Sequence, residues 1–333
     1  MRVGEMGHEI TLLSKEDVQS ILTMKDVIEA MRAALLDHYE KRTQMVGRRY
    51  LFLDKGRIGS MSAYVESLGG AGVKIVSTFH ENPAKFNLPA ISALIVLCDV
   101  ETGLPRAVID GTYITMMRTG AISALATEYL ARRDSKIAGI IGAGEQGKGQ
   151  LLGLREVLHL DRVYVYDVDR GRAETFAERM SAETELEVLR SDSAEEVVRK
   201  ADVLATATPS MTPVVFDEWV SPGLHINSVG GASRGEQEID TRILKRSKLV
   251  VDDFENASAL GGIAKPISSG ELSRGDIYAE LGELVAGGKP GRVSDGEVTV
   301  FISSGLAIQD IAAAQMVFKR AEELGLGTRA RLM

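Results

Sequence analysis

Gly142-Ala143-Gly144-Glu145-Gln146-Gly147 constrains this chain more than any other stretch. It follows Ile137-Ala138-Gly139-Ile140-Ile141, apolar enough for a buried strand, and opens into Lys148 to Leu158, whose pattern is helical. About twenty residues past Gly147, Asp167 closes the strand-like run Val163-Tyr164-Val165-Tyr166. A G-x-G-x-x-G string alone says little. At a strand-to-helix turn, with an acidic residue ending the next strand, it is the fingerprint of a dinucleotide-binding βαβ unit. The first glycine permits the tight turn, the second lets the backbone approach a pyrophosphate, and the third lets helix and strand pack closely. The helix N-terminus offers unpaired N–H groups and a partial positive charge to the phosphates. Asp167 suits the adenosine ribose and favours NAD over NADP by repelling a 2′-phosphate. Arg170 and Arg172 follow it, either as helix-surface charges or as a softening of that preference.

A chain of 333 residues is too long for one simple core, so two domains are expected. The net charge of −8, with no long run of lysine or arginine, argues against a nucleic-acid partner. Cys98 is the only cysteine, which excludes an intrachain disulfide and a cysteine-based metal site, and no metal is expected. In the apolar run Ile91 to Leu97 it reads as a small buried residue. Met1 to Ile10 lacks the apolar stretch of a signal peptide, and no run approaches a membrane span. A cytoplasmic location without membrane contact is the expectation.

Thr23-Met24-Lys25-Asp26 resembles a capping box ahead of an amphipathic helix carrying Val27, Met31, Ala34 and Leu35. From Arg48 the period shortens. Tyr50–Leu53, Ile58–Ser62, Gly72–Ser77, Ile91–Cys98 and Arg106–Ile109 read as strands with tight turns between several of them, which predicts an antiparallel sheet. Thr119–Arg132 reads as a long helix. Beyond Asp167, short strands and helices alternate, which predicts a parallel sheet with helices on both faces. The fold class is therefore α/β: a Rossmann-type dinucleotide domain at 119–311, and an α+β substrate-binding and dimerisation domain at 1–118 and 312–333. Two such domains imply a reaction cleft between them.

Two cations stand out. Lys74 sits mid-strand with Gly72 and Val76 on its face, poor company for an ammonium unless an anion is near; the alternative is a lysine snorkelling at a sheet edge. Arg118 precedes the long helix, where a cation opposes the helix dipole by roughly 0.3–1 kcal/mol. A bound anion would offset that; the alternative is a surface arginine paired with a carboxylate such as Asp110. His80, in the loop after the Lys74 strand, is a proton-transfer candidate or a hydrogen-bonded loop histidine. Thr206, Thr208 and Ser228 fall at C-terminal ends of parallel strands, where cofactor contacts gather, or they cap helices.

Several segments together resemble the ornithine cyclodeaminase/mu-crystallin family. They are Gly72-Val73-Lys74-Ile75-Val76, Asp110-Gly111-Thr112 with Met117-Arg118-Thr119-Gly120-Ala121, the glycine loop, Thr206-Ala207-Thr208-Pro209-Ser210, and His225-Ile226-Asn227-Ser228-Val229-Gly230-Gly231. Val251-Asp252-Asp253 and Ser303-Ser304-Gly305-Leu306-Ala307-Ile308-Gln309-Asp310 follow in the family's order. The resemblance implies a homodimer joined through its N-terminal sheets, a nicotinamide cofactor, and a small imino or amino acid as substrate. It implies that Arg118 binds the substrate carboxylate, that Arg48 is a second such arginine (with Arg49 adjacent as the alternative), and that Lys74 contacts the carboxylate or the reacting carbon–nitrogen centre. Thr119 and Val229 fall in segments matched with the cofactor-binding set.

One departure bears on the chemistry. In deaminating members of the family, an aspartate follows the Val-Gly-Gly segment and serves as acid and base. Here Ala232 follows Val229-Gly230-Gly231. Deamination and cyclisation are hard to run without that carboxylate, whereas reduction of a ready-made C=N bond needs only hydride and a held substrate. The expectation is an NAD(P)H-dependent reductase of cyclic imino acids such as Δ1-pyrroline-2-carboxylate. An ornithine cyclodeaminase or alanine dehydrogenase of the same family, and a non-catalytic NAD(P)-dependent binding protein, are the alternatives. Ile302 also departs, standing where relatives often carry aspartate.

Overall fold

The computed structural model describes residues 8–230 and 235–331. The chain divides into two compact units, Met1–Arg118 with Ala307–Met333, and Thr119–Leu306. The return to the first unit thus begins at Ala307, with the whole last helix Ala307–Leu324, and not at 312.

In the first unit seven strands form one sheet. Their order is Thr328–Arg331, Glu9–Leu13, Pro105–Asp110, Ile91–Cys98, Gly70–Thr78, Gly56–Val65, Thr43–Leu53. Neighbours are antiparallel except Glu9–Leu13 and Pro105–Asp110, which run parallel. The five strands that the short-turn pattern predicted run antiparallel, each to the next, and the sheet is mixed because Glu9–Leu13 joins it parallel to Pro105–Asp110. Those two strands are far apart in sequence, and a long connection allows either direction. Helix Ala307–Leu324 packs on Gly56–Val65, on Gly70–Thr78 and against helix Met24–Tyr39. Thr23 caps Met24–Tyr39 by accepting from the Asp26 N–H, while the Asp26 carboxylate takes the Thr23 hydroxyl and Arg320. A Cβ at Gly72 or Gly70 would meet Ile311 at 3.2 Å. The missing side chains let the last helix lie close on the strand that carries Lys74.

The second unit is an all-parallel sheet of eight strands. Their order is Ala279–Glu280, Lys248–Val251, Thr299–Ile302, His225–Ser228, Val203–Thr206, Ile137–Ile141, Arg162–Tyr166, Glu187–Arg190. Chain order runs outward from Ile137–Ile141 on one side and from Val203–Thr206 to His225–Ser228 on the other, where Thr299–Ile302 is inserted ahead of Lys248–Val251 and Ala279–Glu280. That reversal is the switch point at which such sheets bind dinucleotides, and the glycine loop leaves the sheet there. Leu204 joins one apolar cluster while Val203 and Ala205 join another, so alternate residues of one strand are covered on opposite faces.

The helix predicted from Thr119 begins instead at Gly111 and ends at Leu130. Asp110 starts it, accepting the Tyr113 N–H at 2.9 Å in the manner of an N-cap. Ile114, Met116 and Met117 are buried, as are Ala121 to Ala126. A helix whose buried residues include Thr115, Arg118 and Thr119 among the apolar ones shows no amphipathic stripe, so its first turns leave no mark in the sequence. Among the described residues, no helix is long and apolar enough to cross a membrane.

Candidate functional site

Lys74 pairs across the first sheet with Met61 and with Ile95, both buried, so its side chain lies on the covered face and not at an edge. Only 1% of it is exposed. Its Nζ donates to Asp310 Oδ1 at 2.8 Å. Arg118 Nε donates to the same oxygen at 3.1 Å, and Arg118 Nη1 to Gln309 Oε1 at 3.0 Å. Two expectations for Arg118 are corrected here. It lies about two turns inside its helix, past the first turn where the N-terminal dipole acts, and it is buried against Asp310 instead of pairing with Asp110. Asp310 Oδ2 and Gln309 Nε2 are buried without a hydrogen-bond partner.

The electrostatics follow from this geometry. Burial pushes the Lys74 ammonium down to about 8; Asp310 resists, while Arg118 and Arg48 add to the fall. Burial raises Asp310, but Arg118 and Lys74 outweigh it and hold the carboxyl below its usual range. Two cations and one anion leave the interior with an excess positive charge.

Arg48 joins this side of the sheet through a bulge. The pairing register of Thr43–Leu53 with Gly56–Val65 shifts between Val46 and Arg49. The extra residue re-aims the chain, and Arg48 Nε comes 3.2 Å from Met61 Sδ, with Nη1 on Tyr50 Oη at 3.1 Å. Arg49 pairs with Ser60 and is exposed. His80 is exposed in the turn after its strand, and no described hydrogen bond or ion pair joins it to the cluster.

In the second unit the glycine loop has the shape a dinucleotide needs. Gly142 sits at φ +106°, and a Cβ there would stand 2.6 Å from the Ala207 carbonyl oxygen. Gly144 is the N-cap of helix Glu145–Val157, has no side-chain cap, and faces open space. The first N–H groups of that helix are thus left for an anion. Gly147 packs directly on the Gly142 carbonyl, leaving no room for a side chain. Gln146 Oε1 is buried without a partner. Asp167 braces the loop: its Oδ2 accepts from Ala143 N–H and its Oδ1 from Asp169 N–H, both at 2.9 Å. Arg172 stands 3.6 Å from Asp167, whereas Arg170 pairs with Glu174. A pocket of about 260 Å³ beside them is lined by Tyr166, Asp167, Arg170, Ala173, Arg190 and Ser191.

Thr206, Thr208 and Ser228 are brought together by a residue the sequence did not flag. The buried Glu238 carboxylate accepts from Thr206 Oγ1 at 2.7 Å, Thr208 Oγ1 at 2.8 Å, Thr208 N–H at 2.6 Å, Ser228 Oγ at 2.8 Å and Gly230 N–H at 2.9 Å. Val229 N–H bonds the Thr206 carbonyl, and Gln150 donates to the Thr119 carbonyl at 3.1 Å. Asp252 likewise ties two of the quoted segments, accepting from Ser303 Oγ, Ser304 Oγ and Gly305 N–H. Ile302 is buried in the apolar cluster with Ile226, Val251 and Ile263. Ala232, with Gly231, Ser233 and Arg234, lies outside the described residues.

Asp310 and Gln309 had a signal in the sequence: two polar residues inside the apolar run Leu306 to Ala314. Glu238 had none, since Gly235-Glu236-Gln237-Glu238 reads like any solvated acidic stretch.

Comparison with known proteins identifies the family. The family model described as ornithine cyclodeaminase/mu-crystallin matches residues 8–325. An alanine dehydrogenase of Archaeoglobus fulgidus is 40% identical over 97% of this chain and 98% of its own length. A Δ1-pyrroline-2-carboxylate reductase of Thermococcus litoralis, solved in complex with NADH and L-proline, superposes with a TM-score of 0.93 at 42% identity, covering 96% of this chain and 99% of that one. An archaeal alanine dehydrogenase dimer with bound NAD gives 0.93 at 40% identity, covering 98% of this chain and all of the other. The chain belongs to the ornithine cyclodeaminase/mu-crystallin family.

Proposed function

We propose that the protein is an NAD(P)H-dependent reductase of cyclic imino acids, converting Δ1-pyrroline-2-carboxylate or Δ1-piperideine-2-carboxylate to L-proline or L-pipecolate. The observation that carries this reading is the excess of positive charge around Asp310, where two buried cations share one carboxylate oxygen. Buried charge demands a counter-charge, and a substrate carboxylate supplies it. The Thermococcus relative's complex with NADH and L-proline supports the same chemistry.

Reduced nicotinamide, when bound, supplies the hydride. The other tasks fall to this chain. Arg118 takes the carboxylate through its planar guanidinium, with Arg48 as the second arm. Lys74, with a proton affinity lowered to about 8, donates a proton to the ring nitrogen near neutral pH. The loop Gly142 to Gly147 holds the pyrophosphate, and Asp167 the ribose, favouring NAD, with NADP left open. Ala232 leaves no carboxylate to expel ammonia or activate water, which favours imine reduction over amino-acid oxidation.

The Archaeoglobus relative, at 40% identity, supports a second reading as an alanine dehydrogenase, in which Lys74 or His80 replaces the absent carboxylate. The reading includes a homodimer joined through the first unit. The archaeal neighbour is a dimer, and this sheet carries Leu51, Ile75 and Leu94 exposed, the last two in direct register. It also includes a cytoplasmic location, where nicotinamide pools and an unpaired Cys98 are both at home.

The test follows nicotinamide absorbance with pyrroline-2-carboxylate, piperideine-2-carboxylate, pyruvate plus ammonium, and L-ornithine. Reduction of the cyclic imines at rates well above the others is expected. Ammonia release from ornithine, or preferred turnover of pyruvate with ammonium, overturns the reductase reading. Tight NADH binding without turnover of any input identifies a binding protein instead.

A further inference from the structure

Lys74 has no charged neighbour on its own strand, where Gly72 and Val76 flank it on the same face. The charged groups that face it come from three other elements: Asp310 on Ala307–Leu324, Arg118 on Gly111–Leu130, and Arg48 on Thr43–Leu53. Burial and two of these three work against its proton. One works for it, and that one also fixes Arg118 by the same atom. A single carboxylate oxygen therefore sets the distance between the two cations. Nothing else in the described hydrogen bonds of Lys74 does so.

We propose that Asp310 is the positioning residue of this site: its Oδ1 aims Lys74 and Arg118 at one substrate and keeps Lys74 charged, so that Asp310 fixes the alkaline limit of the reaction. The proton-transfer half of this rests on the reductase reading; the control of Lys74 does not. In the reaction an Nζ–H bond of Lys74 breaks and its proton goes to the lone pair of the imine nitrogen. The ring carbon accepts hydride with its electron pair from the reduced nicotinamide, and the C=N π pair becomes the lone pair of the product amine. Lys74 is left neutral and recovers a proton from water. If Lys74 were neutral at the outset, the first step would have no donor.

The test reads Lys74 directly. In full-length protein labelled with [13C]lysine, the Lys74 Cε resonance is identified by its loss in Lys74→Arg and titrated in the wild type, Asp310→Asn, Asp310→Glu and Arg118→Met. The wild-type midpoint is expected near 8. Asp310→Asn should move it down by about one unit or more, because the attraction and hydrogen bond are lost while both arginines remain. Asp310→Glu should recover part of that shift, and Arg118→Met should move the midpoint up. The alkaline limb of kcat/KM for pyrroline-2-carboxylate should follow the midpoint, while the NADH dissociation constant stays within about twofold. An unchanged or higher midpoint in Asp310→Asn overturns the proposal. So does a downward shift in Arg118→Met, which also serves if the Asp310 variants fail to fold. Shifted midpoints in a wild type that reduces no cyclic imine refute the reductase reading and leave the control of Lys74 standing.

Discussion

Asp310 in the first unit and Glu238 in the second are both buried carboxylates, and their surroundings are opposite. Glu238 receives five hydrogen bonds, all from hydroxyls and backbone N–H groups, and uses both oxygens. Asp310 receives two cations on one oxygen and leaves the other unpaired. Burial raises the Glu238 carboxyl, and its donors only partly oppose this. Burial raises Asp310 too, yet Arg118 and Lys74 reverse the direction. Neutral donors favour the ionised carboxylate as cations do, but at Glu238 they fall short of the cost of burial, whereas the cations at Asp310 exceed it. Glu238 is thus a finished brace holding strand ends and the turn at Gly230. The Asp310 cluster is unfinished, with surplus charge and idle polar atoms, and incompleteness of that kind marks a place for a ligand.

The contrast can be broken in four ways. Arg118→Ala carries the largest expected effect. Truncating one partner of a hydrogen-bonded charge pair with a bound ligand costs about 2–5 kcal/mol, so kcat/KM for the cyclic imine should fall by about two to three orders of magnitude, measured by steady-state kinetics. Loss through KM with kcat retained would mean that the arginine binds ground state and transition state alike.

Glu238→Ala comes next. Several buried donors lose their acceptor at ~1–3 kcal/mol each before relaxation, so we expect a loss of about 3–4 kcal/mol in urea unfolding, a weaker NADH complex, and little change in the Lys74 midpoint. A stability loss under 1 kcal/mol would show that Glu238 braces nothing.

Lys74 gives a pH test with a definite sign. Its folded value, about 8, is below the ordinary lysine value of 10.5. Below pH 8 it is charged in both states, and the native state bears the full cost of burying the charge. Between pH 8 and 10.5 the native state sheds the proton first, so the cost lifts while the unfolded chain stays charged. Wild-type stability should therefore rise relative to Lys74→Met across that window, by about 2–3 kcal/mol. A flat difference curve would mean that Lys74 is solvated.

Asp167 falls between the two carboxylates compared above, and its effect is the smallest. Its oxygens hold two backbone N–H groups, and Arg172 lies nearby. Asp167→Ser should shift the ratio of NADP to NAD use upward by roughly tenfold, since like charges brought together cost several kcal/mol at most. It should also weaken NADH, because the loop loses its brace. An unchanged ratio would show that Asp167 serves the loop alone.

Much of this was legible in the residues. Ile137–Ile141 and Ile91–Cys98 appear with the ends their sequence suggested. The glycine loop needed no tertiary knowledge because strand, turn and helix are contiguous. The place of Arg118 inside its helix is not readable from the chain, because the helix starts at Gly111 in a segment without amphipathic pattern. The bulge that separates Arg48 from Arg49 also left no mark, because a register shift is a property of two strands and not of one.

By itself the sequence determined the parallel dinucleotide-binding unit, the strand bearing Lys74 and the absence of a carboxylate at Ala232. Those are local facts, carried by residues within a few positions of one another. Only the tertiary structure decided what Lys74 and Arg118 do with their charge. Asp310 is 236 residues beyond Lys74 and 192 beyond Arg118. A charge's partner, and hence its proton affinity, is set by what folding brings within about 4–6 Å, which no spacing along the chain records.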